Sequence, residues 1–364
     1  MSKVKKQHEP LFHIVKKDAP VWWKAWLIRI AAIVASLIVC AFIIVLLTKE
    51  NPLQVYVSMF KGSFGTERKV WILLQNMAML LCISLAVTPA FKMKFWNLGA
   101  EGQVLIGGLA SITCMFYAKD SMPNELLIII MIITSVLAGI IWAVIPAVFK
   151  AKWNTNETLF TLMMNYIAAQ LVMYFLQVWV TDGSSTLGEL PFGHLPVIGH
   201  NYLLTIIVAV ALTVFMFVYL SYSKQGYEIS VVGESQNTAR YIGINVKKVI
   251  IRTMILSGAL CGIAGLLIVG AIDHSITAAA VGGQGFTAIM VSWLAKFNPI
   301  VMVLTTFLIV FLQIGSGQVS TDFNISAAFP DIITGIILFC IIGCEFFINY
   351  QIKFRKKSGE GEKK

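Results

Sequence analysis

The chain has 364 residues, of which 58% are hydrophobic and 13% charged, against about 45–50% and about 25% in ordinary soluble domains. Its mean hydropathy of +0.80 is too high for one buried core, and at about 20 apolar residues per span it furnishes about ten membrane crossings. A soluble enzyme, a disordered chain and a disulfide-stapled secreted module are excluded, and the formal charge of +10 becomes a question of which membrane face each charge occupies.

In chain order, hydropathy predicts spans near 27–47, 71–90, 100–118, 126–149, 157–180, 202–220, 250–272, 299–316 and 330–350, with a shorter glycine-interrupted stretch at 278–295 making ten. The first resembles a signal peptide only in its preceding lysines. It is longer than a signal h-region, and Thr48-Lys49-Glu50-Asn51-Pro52 follows it without a small-x-small cleavage pattern, so it reads as an uncleaved anchor. Trp22, Trp23 and Trp26 suit the interface beneath it. The expected fold class is all-α and polytopic, with residues 1–26 as a basic, aromatic N-terminal segment, 27–350 as the transmembrane domain and 351–364 as a basic tail. The longest loops are 48–70 and 181–201 on one side and 221–249 on the other.

Charge orders these loops. With the N-terminus inside, 23 of the 28 basic residues fall on the inner side. Only Lys49, Lys61, Arg68, Lys69 and Lys119 fall outside, and moving one span in or out scrambles the division. The positive-inside rule therefore predicts both termini cytoplasmic. The inner side then carries about +14 and the outer about −4.

Several chemistries find no residues to run on. There is no Gly-Lys dipeptide, hence no phosphate-cradling P-loop, and no His-Glu-x-x-His. The six cysteines lie in apolar runs, without metal or redox spacing. His194 and His200 share an outer loop and read as a solvated pair. Gly283-Gln284-Gly285 with Ala288 mimics a dinucleotide fingerprint, but no strand precedes it.

Ionisable residues inside a membrane are functional candidates by default. Here they are Glu101, Glu157 and Glu345, each near an inner boundary. Glu157 fits a capping box led by Asn154, and Glu345 fits an interfacial residue beside the terminal basic cluster. Glu101 lies in FWNLGAEGQ (95–103), bracketed by Gly99 and Gly102 with the amides of Asn97 and Gln103. That pattern serves either close packing or the organisation of a broken helix. Gln75, Asn76, Asn165, Gln170, Gln284 and Gln313 lie deeper. They suit either interhelical hydrogen bonds or contact with a neutral polar solute. Ser257 to Gly265 places small residues three and four apart, a face for close helix packing. Val281-Gly282-Gly283-Gln284-Gly285 predicts a broken or re-entrant segment.

The inner loop GYEISVVGESQNTARYIGI (226–244) predicts a short helix over about Ser235–Ile242, capped by Glu234 and Ser235 after Gly233 and ended at Gly243. A helix that short needs something to pack against. It reads either as an amphipathic connector or as a docking helix for a soluble partner.

FWNLGAEGQ, NETLFTLMMNYIA (156–168), the 226–244 loop, VGGQGFTAIMVSWLAKFNP (281–299) and PDIITGIILFCIIGCEFF (330–347) together resemble the membrane permeases of bacterial ABC importers. The branch is the one serving ribose, other simple sugars, nucleosides and branched-chain amino acids. The resemblance covers about residues 70–350, and within the branch the chain is most similar to nucleoside-type permeases. Trp96 departs from the family pattern, in which Phe directly precedes the Asn. The resemblance implies a non-enzymatic subunit of the bacterial plasma membrane that binds no cofactor itself. ATP and Mg belong to a separate ATPase, a second related permease completes the pore, and an extracellular lipoprotein delivers the solute. It implies a coupling helix on the ATPase that uses Gly233, Glu234, Asn237, Ala239, Arg240 and Gly243. Candidates for the translocation pathway are Gln75, Asn76, Asn97, Glu101, Gln103, Asn165 and Gln284. The competing reading, motivated by the broken segment near 278–288, is a secondary transporter driven by an ion gradient. A membrane enzyme acting on lipids is disfavoured by the scarcity of Asp, Glu and His.

Overall fold

Long apolar runs set most of the architecture, and α-helix persists even where Pro89 and Pro146 fall inside them. The computed structural model describes residues 12–16, 22–118, 122–180, 187–326 and 328–354. Its helices are α1 (Trp22–Thr48), α2 (Pro52–Phe64), α3 (Glu67–Lys92), α4 (Ala100–Ala118), α5 (Asn124–Trp153), α6 (Glu157–Trp179) and α7 (Leu203–Tyr222). They continue as α8 (Lys224–Glu234), α9 (Gln236–Tyr241), α10 (Val246–Leu267), α11 (Gln284–Leu294), α12 (Pro299–Asp322) and α13 (Ala328–Asn349). Among the described residues, six helical segments are long and apolar enough to cross a membrane: Glu67–Lys92, Asn124–Trp153, Glu157–Trp179, Leu203–Tyr222, Val246–Asp273 and Pro299–Asp322.

Polar residues at the boundaries fix where helices begin. Thr66, Asn156 and Asn245 accept from backbone N–H groups in the first turns of α3, α6 and α10, satisfying donors that the helix cannot use itself. The cap of α6 is thus Asn156 rather than the expected Asn154. Asn154 instead ends α5 in the left-handed conformation (φ 52), and Glu157 pairs with Lys150 at 2.8 Å.

Unanticipated are α2, α8 within the stretch read as an inner loop at 221–249, and a pair of strands. The stretch read as an outer loop at 48–70 contains α2, which exposes Leu53, Val57, Phe60 and Phe64 along one stripe. The all-α class holds, with one small addition: β1 (Phe12–Lys16) pairs antiparallel with β2 (Tyr350–Phe354), from Phe12↔Phe354 to Lys16↔Tyr350. The strands join the ends of the presumed terminal segments.

The chain divides into two compact units, Met1–Gly62 with Leu312–Lys364, and Ser63–Phe311. In the first, α1 packs on α13, burying Cys40 and Ile44 and, from α13, Ile333, Ile337 and Ile341. The Ser58 hydroxyl donates to the Asp322 carboxylate, which also accepts from Gln318 Nε2 at 2.6 Å.

In the second unit α3 is enclosed almost throughout, with an unbroken buried run from Ala78 to Phe91. α10 packs against α5, α4 and α3, and the predicted small-residue face makes this possible. A Cβ at Gly258 or Gly262 would strike the backbone of α5 at Gly139 or Ser135, and one at Gly265 would strike the Val104 carbonyl of α4. Beyond Leu267 the helix widens into a π-helical turn, Ile268–Asp273. Gly282 and Gly283 then take positive φ (59 and 76) and α11 begins. With 11 residues it is about 16 Å long, too short for a hydrocarbon core of about 30 Å. The stretch at 278–295 is therefore a broken element, not a continuous tenth span.

Candidate functional site

The residues between α3 and α4 form the centre of a polar network. Asn97 turns back on its own segment, its Oδ1 accepting from Gly99 N at 3.1 Å and from Gln103 Nε2 at 3.2 Å. Its Nδ2 donates to Ser257 Oγ of α10 at 3.4 Å. One turn apart on α6, Thr161 and Asn165 grip the same segment. Thr161 Oγ1 accepts from Leu98 N at 3.1 Å, Asn165 Nδ2 donates to the Leu98 carbonyl at 2.7 Å, and Asn165 Oδ1 accepts from Gly102 N at 2.9 Å. Irregular backbone inside an apolar protein must find such partners, because buried N–H and C=O groups are costly unpaired.

Glu101 extends the network to the broken segment. Its two carboxylate oxygens accept from Gly283 N and Gly285 N, each at 2.8 Å. The carboxylate thus caps α11 where the helix dipole is positive. Gly285 is required by the closeness of approach, since a Cβ there would lie 2.6 Å from Glu101 N. The apparent fingerprint Gly283-Gln284-Gly285 is therefore a helix start fitted to a side chain of this same protein.

Of the seven pathway candidates, Asn97, Glu101, Gln103, Asn165 and Gln284 come together in this region. The groups of Asn97 and Asn165, both carboxylate oxygens of Glu101 and the Gln103 amide nitrogen are engaged with the chain itself. Gln284 differs, with its Oε1 enclosed and without a hydrogen-bond partner. Gln75 and Asn76 lie elsewhere, in the N-terminal half of α3, buried and half-buried. Gln170 and Gln313 are exposed, and the side chain of Glu345 lies outside the described residues. Sequence reasoning missed Thr161 and Ser257 as network members. Thr161 could have been found four residues before Asn165 on one helical face. Trp96 leaves the motif intact by turning outward, its ring 5.6 Å from Trp293 and 5.9 Å from Phe91.

The six coupling candidates separate by exposure. α9 is capped by Ser235, which accepts from Thr238 N, and ends where Gly243 takes φ +83 with Ile244 N bonded to the Ala239 carbonyl. Ala239 is fully buried, and Gly233 in the last turn of α8 lies so close to the Lys92 carbonyl that no Cβ fits. Both hold the segment onto the body of the protein. Glu234, Asn237, Arg240 and Gly243 face out, beside Tyr241, which is 91% exposed.

At the other end of the second unit, residues 187–200 lie across the π-helical turn. Leu195 N donates to the Gly270 carbonyl and Leu190 N to that of His274. His194 stacks on His274 at 3.8 Å, and His200 stacks on Trp71 at 4.6 Å, so the two loop histidines are not a pair with each other. Among the described residues no group of three or more His, Cys, Asp or Glu gathers to hold a metal.

This helical body, with its motif-bearing turn, broken helix and protruding capped helix, is that of a transport permease. The chain belongs to the family described as branched-chain amino acid transport system / permease component, whose match covers residues 70–342. It is thus a multi-pass membrane protein of the ABC permease class, a transport component of the plasma membrane. The chain is 29% identical to the guanosine ABC transporter permease protein of Bacillus subtilis over 342 residues, covering 92% of this chain and 97% of that protein. It is 27% identical to the glucose ABC transporter permease protein of Haloferax volcanii, over 91% and 90% of the two chains. It is 26% identical to a nucleoside ABC transporter permease protein of Lactococcus lactis, over 93% and 96%.

Proposed function

We propose that this chain forms half of the translocation pathway of an ATP-driven importer of nucleosides, and that α9 couples it to a separate ATPase. The observation that carries the coupling is α9 itself, a six-residue helix too short to persist alone. It is held by Ala239 from below and presents Asn237, Arg240 and Tyr241 outward. Arg and Tyr are favoured anchors at protein interfaces. ATP and Mg would be bound by the ATPase, an extracellular lipoprotein would deliver the solute, and a second related permease would supply the other half. Nucleosides rather than sugars are favoured by the guanosine and nucleoside relatives.

Ten crossings with both termini cytoplasmic remain the preferred topology. The geometry supports that sidedness because most basic residues of the second unit gather at one end, Arg68 and Lys69 at the start of α3 excepted. Lys92 meets α8 at Gly233, Lys150 pairs with Glu157, and Arg252 pairs with Glu228. The opposite end carries Trp71, His194, His200 and His274. In this orientation α9 faces the cytoplasm, and Glu101 and α11 lie toward the inner half of the protein. The role assigned to Asn97, Glu101, Gln103 and Asn165 is to hold the broken segment, leaving Gln284 the pathway candidate with an open acceptor.

Arg240→Glu and Tyr241→Ala should each reduce co-purification of the ATPase by about thirtyfold, the scale of a lost interface anchor. Thermal melting of the permease alone should be unchanged, because both side chains are exposed. Undiminished co-purification and uptake would remove α9 as the coupling element.

A further inference from the structure

We propose that the cleft between the beginnings of α8 and α10 binds the headgroup of an anionic phospholipid of the inner leaflet. The proposal rests on the orientation given above. The cleft has a volume of about 460 Å³ and is lined by Lys224, Gln225 and Glu228 of α8, by the chain from Ile242 to Asn245, and by Lys248 and Arg252 of α10. Three cations and one carboxylate therefore face one space. The carboxylate is already engaged, since Arg252 Nη2 donates to Glu228 Oε2 at 2.9 Å. Arg252 Nε remains buried without a partner.

The placement of the lysines adds to the imbalance. Lys224 stands in the first turn of α8, and Lys247 and Lys248 stand in the first turn of α10, with no acidic residue in either turn. Cations at a helix N-terminus oppose the macrodipole, so both helix starts are electropositive beyond their side-chain charge. A phosphodiester in the cleft would offset this, accepting hydrogen bonds from the ammonium groups of Lys224 and Lys248.

The flank of the cleft identifies a lipid rather than a soluble anion or an acidic protein segment. Gln225 Oε1 accepts from Tyr219 Oη at 2.8 Å, tying the cleft to the end of α7. The ring of Phe215 stacks on that of Tyr219 at 5.9 Å, and Phe215, Val218 and Tyr222 are exposed on this apolar helix. A headgroup in the cleft thus has a bed for its acyl chains on a membrane-crossing helix. A soluble protein cannot reach that surface. Basic pockets between spans on the cytoplasmic side are suited to anionic headgroups.

The test uses the intact permease in nanodiscs of phosphatidylcholine alone or of equimolar phosphatidylcholine and phosphatidylglycerol, with bound lipid read by native mass spectrometry. Wild type should retain phosphatidylglycerol and melt higher in the mixed discs. Lys224→Gln/Lys248→Gln should lose retention by about thirtyfold, along with the shift in melting, and inorganic phosphate should not reproduce that shift. Equal retention by the two proteins would overturn the proposal. So would a wild-type shift reproduced by phosphate alone, or a double variant that loses ATPase association while keeping its lipid. Lys247→Cys reports the orientation separately, by labelling with an impermeant maleimide only in inside-out vesicles. Such labelling combined with equal lipid retention would overturn the lipid site and leave the orientation standing.

Discussion

The carboxylate of Glu101 fixes two backbone N–H groups at the start of α11, and hydrogen bonds to a charged acceptor contribute about 1.5–3 kcal/mol each. Glu101→Ala removes both acceptors and leaves the turn at Gly283 and Gly285 without its cap. Initial uptake rates should fall by at least about tenfold, and Glu101→Gln, which keeps one carbonyl oxygen, should retain more activity than Ala. Equal rates in the Ala variant and wild type would make the cap irrelevant to transport. His274 offers a second test, beyond the end of the span. Burial lowers its imidazole below the ordinary histidine value near 6.5, and the stacked His194 lowers it further, against the raising effects of Glu189 and the backbone contact with Val269. The folded state therefore favours neutral His274. Its contribution is fully present above the unfolded value and is lost as pH falls through the lowered one. Protection factors in 187–200, taken against the intrinsic exchange rate at each pH, should fall on acidification below about pH 6.5, and His274→Gln should flatten that dependence. At this scale the sequence was half legible. The FWNLGAEGQ cluster marked Glu101 and Asn97 as special, but nothing local could pair Glu101 with glycines 182 and 184 residues away.

Helices read well where one local signal decides them. Ser235 and Gly243 bracketed α9 because an N-cap and a left-handed terminator act over a few residues, and its observed extent falls inside the expected segment. The small-residue face of α10 was equally plain. Gly262→Val should drive a side chain into the α5 backbone at Ser135 and cost about 1–3 kcal/mol or more, read as a lower melting temperature and reduced membrane yield. Val at Gly317, where a Cβ meets nothing within 4 Å, is the control and should cause little change. Elements whose signal was diluted escaped notice. In α2, Gln54, Ser58, Lys61 and Gly62 pull hydropathy below that of a span, although Leu53, Val57, Phe60 and Phe64 recur at helical spacing. The β1–β2 pair was invisible for a different reason. Five residues near one end pair with five near the other, and no local pattern specifies so distant a partner.

Across the whole molecule, the exposed helix α9 is the feature on which the proposed arrangement turns: a permease moved by an ATPase bound at its basic end. The charge division between loops is what orients that proposal, because the positive-inside rule acts on summed charge and tolerates errors in individual boundaries. Substrate identity was not legible in the same way. Uncharged amides suit nucleosides and sugars alike, and the geometry engages most of them with the protein's own backbone. The most direct measurement is guanosine uptake into proteoliposomes that hold this chain with its partner permease, the ATPase and the solute-binding lipoprotein. The account predicts uptake that requires ATP hydrolysis, survives an uncoupler and is abolished by Arg240→Glu. Uptake that proceeds without the ATPase and collapses when the ion gradient is discharged would contradict it.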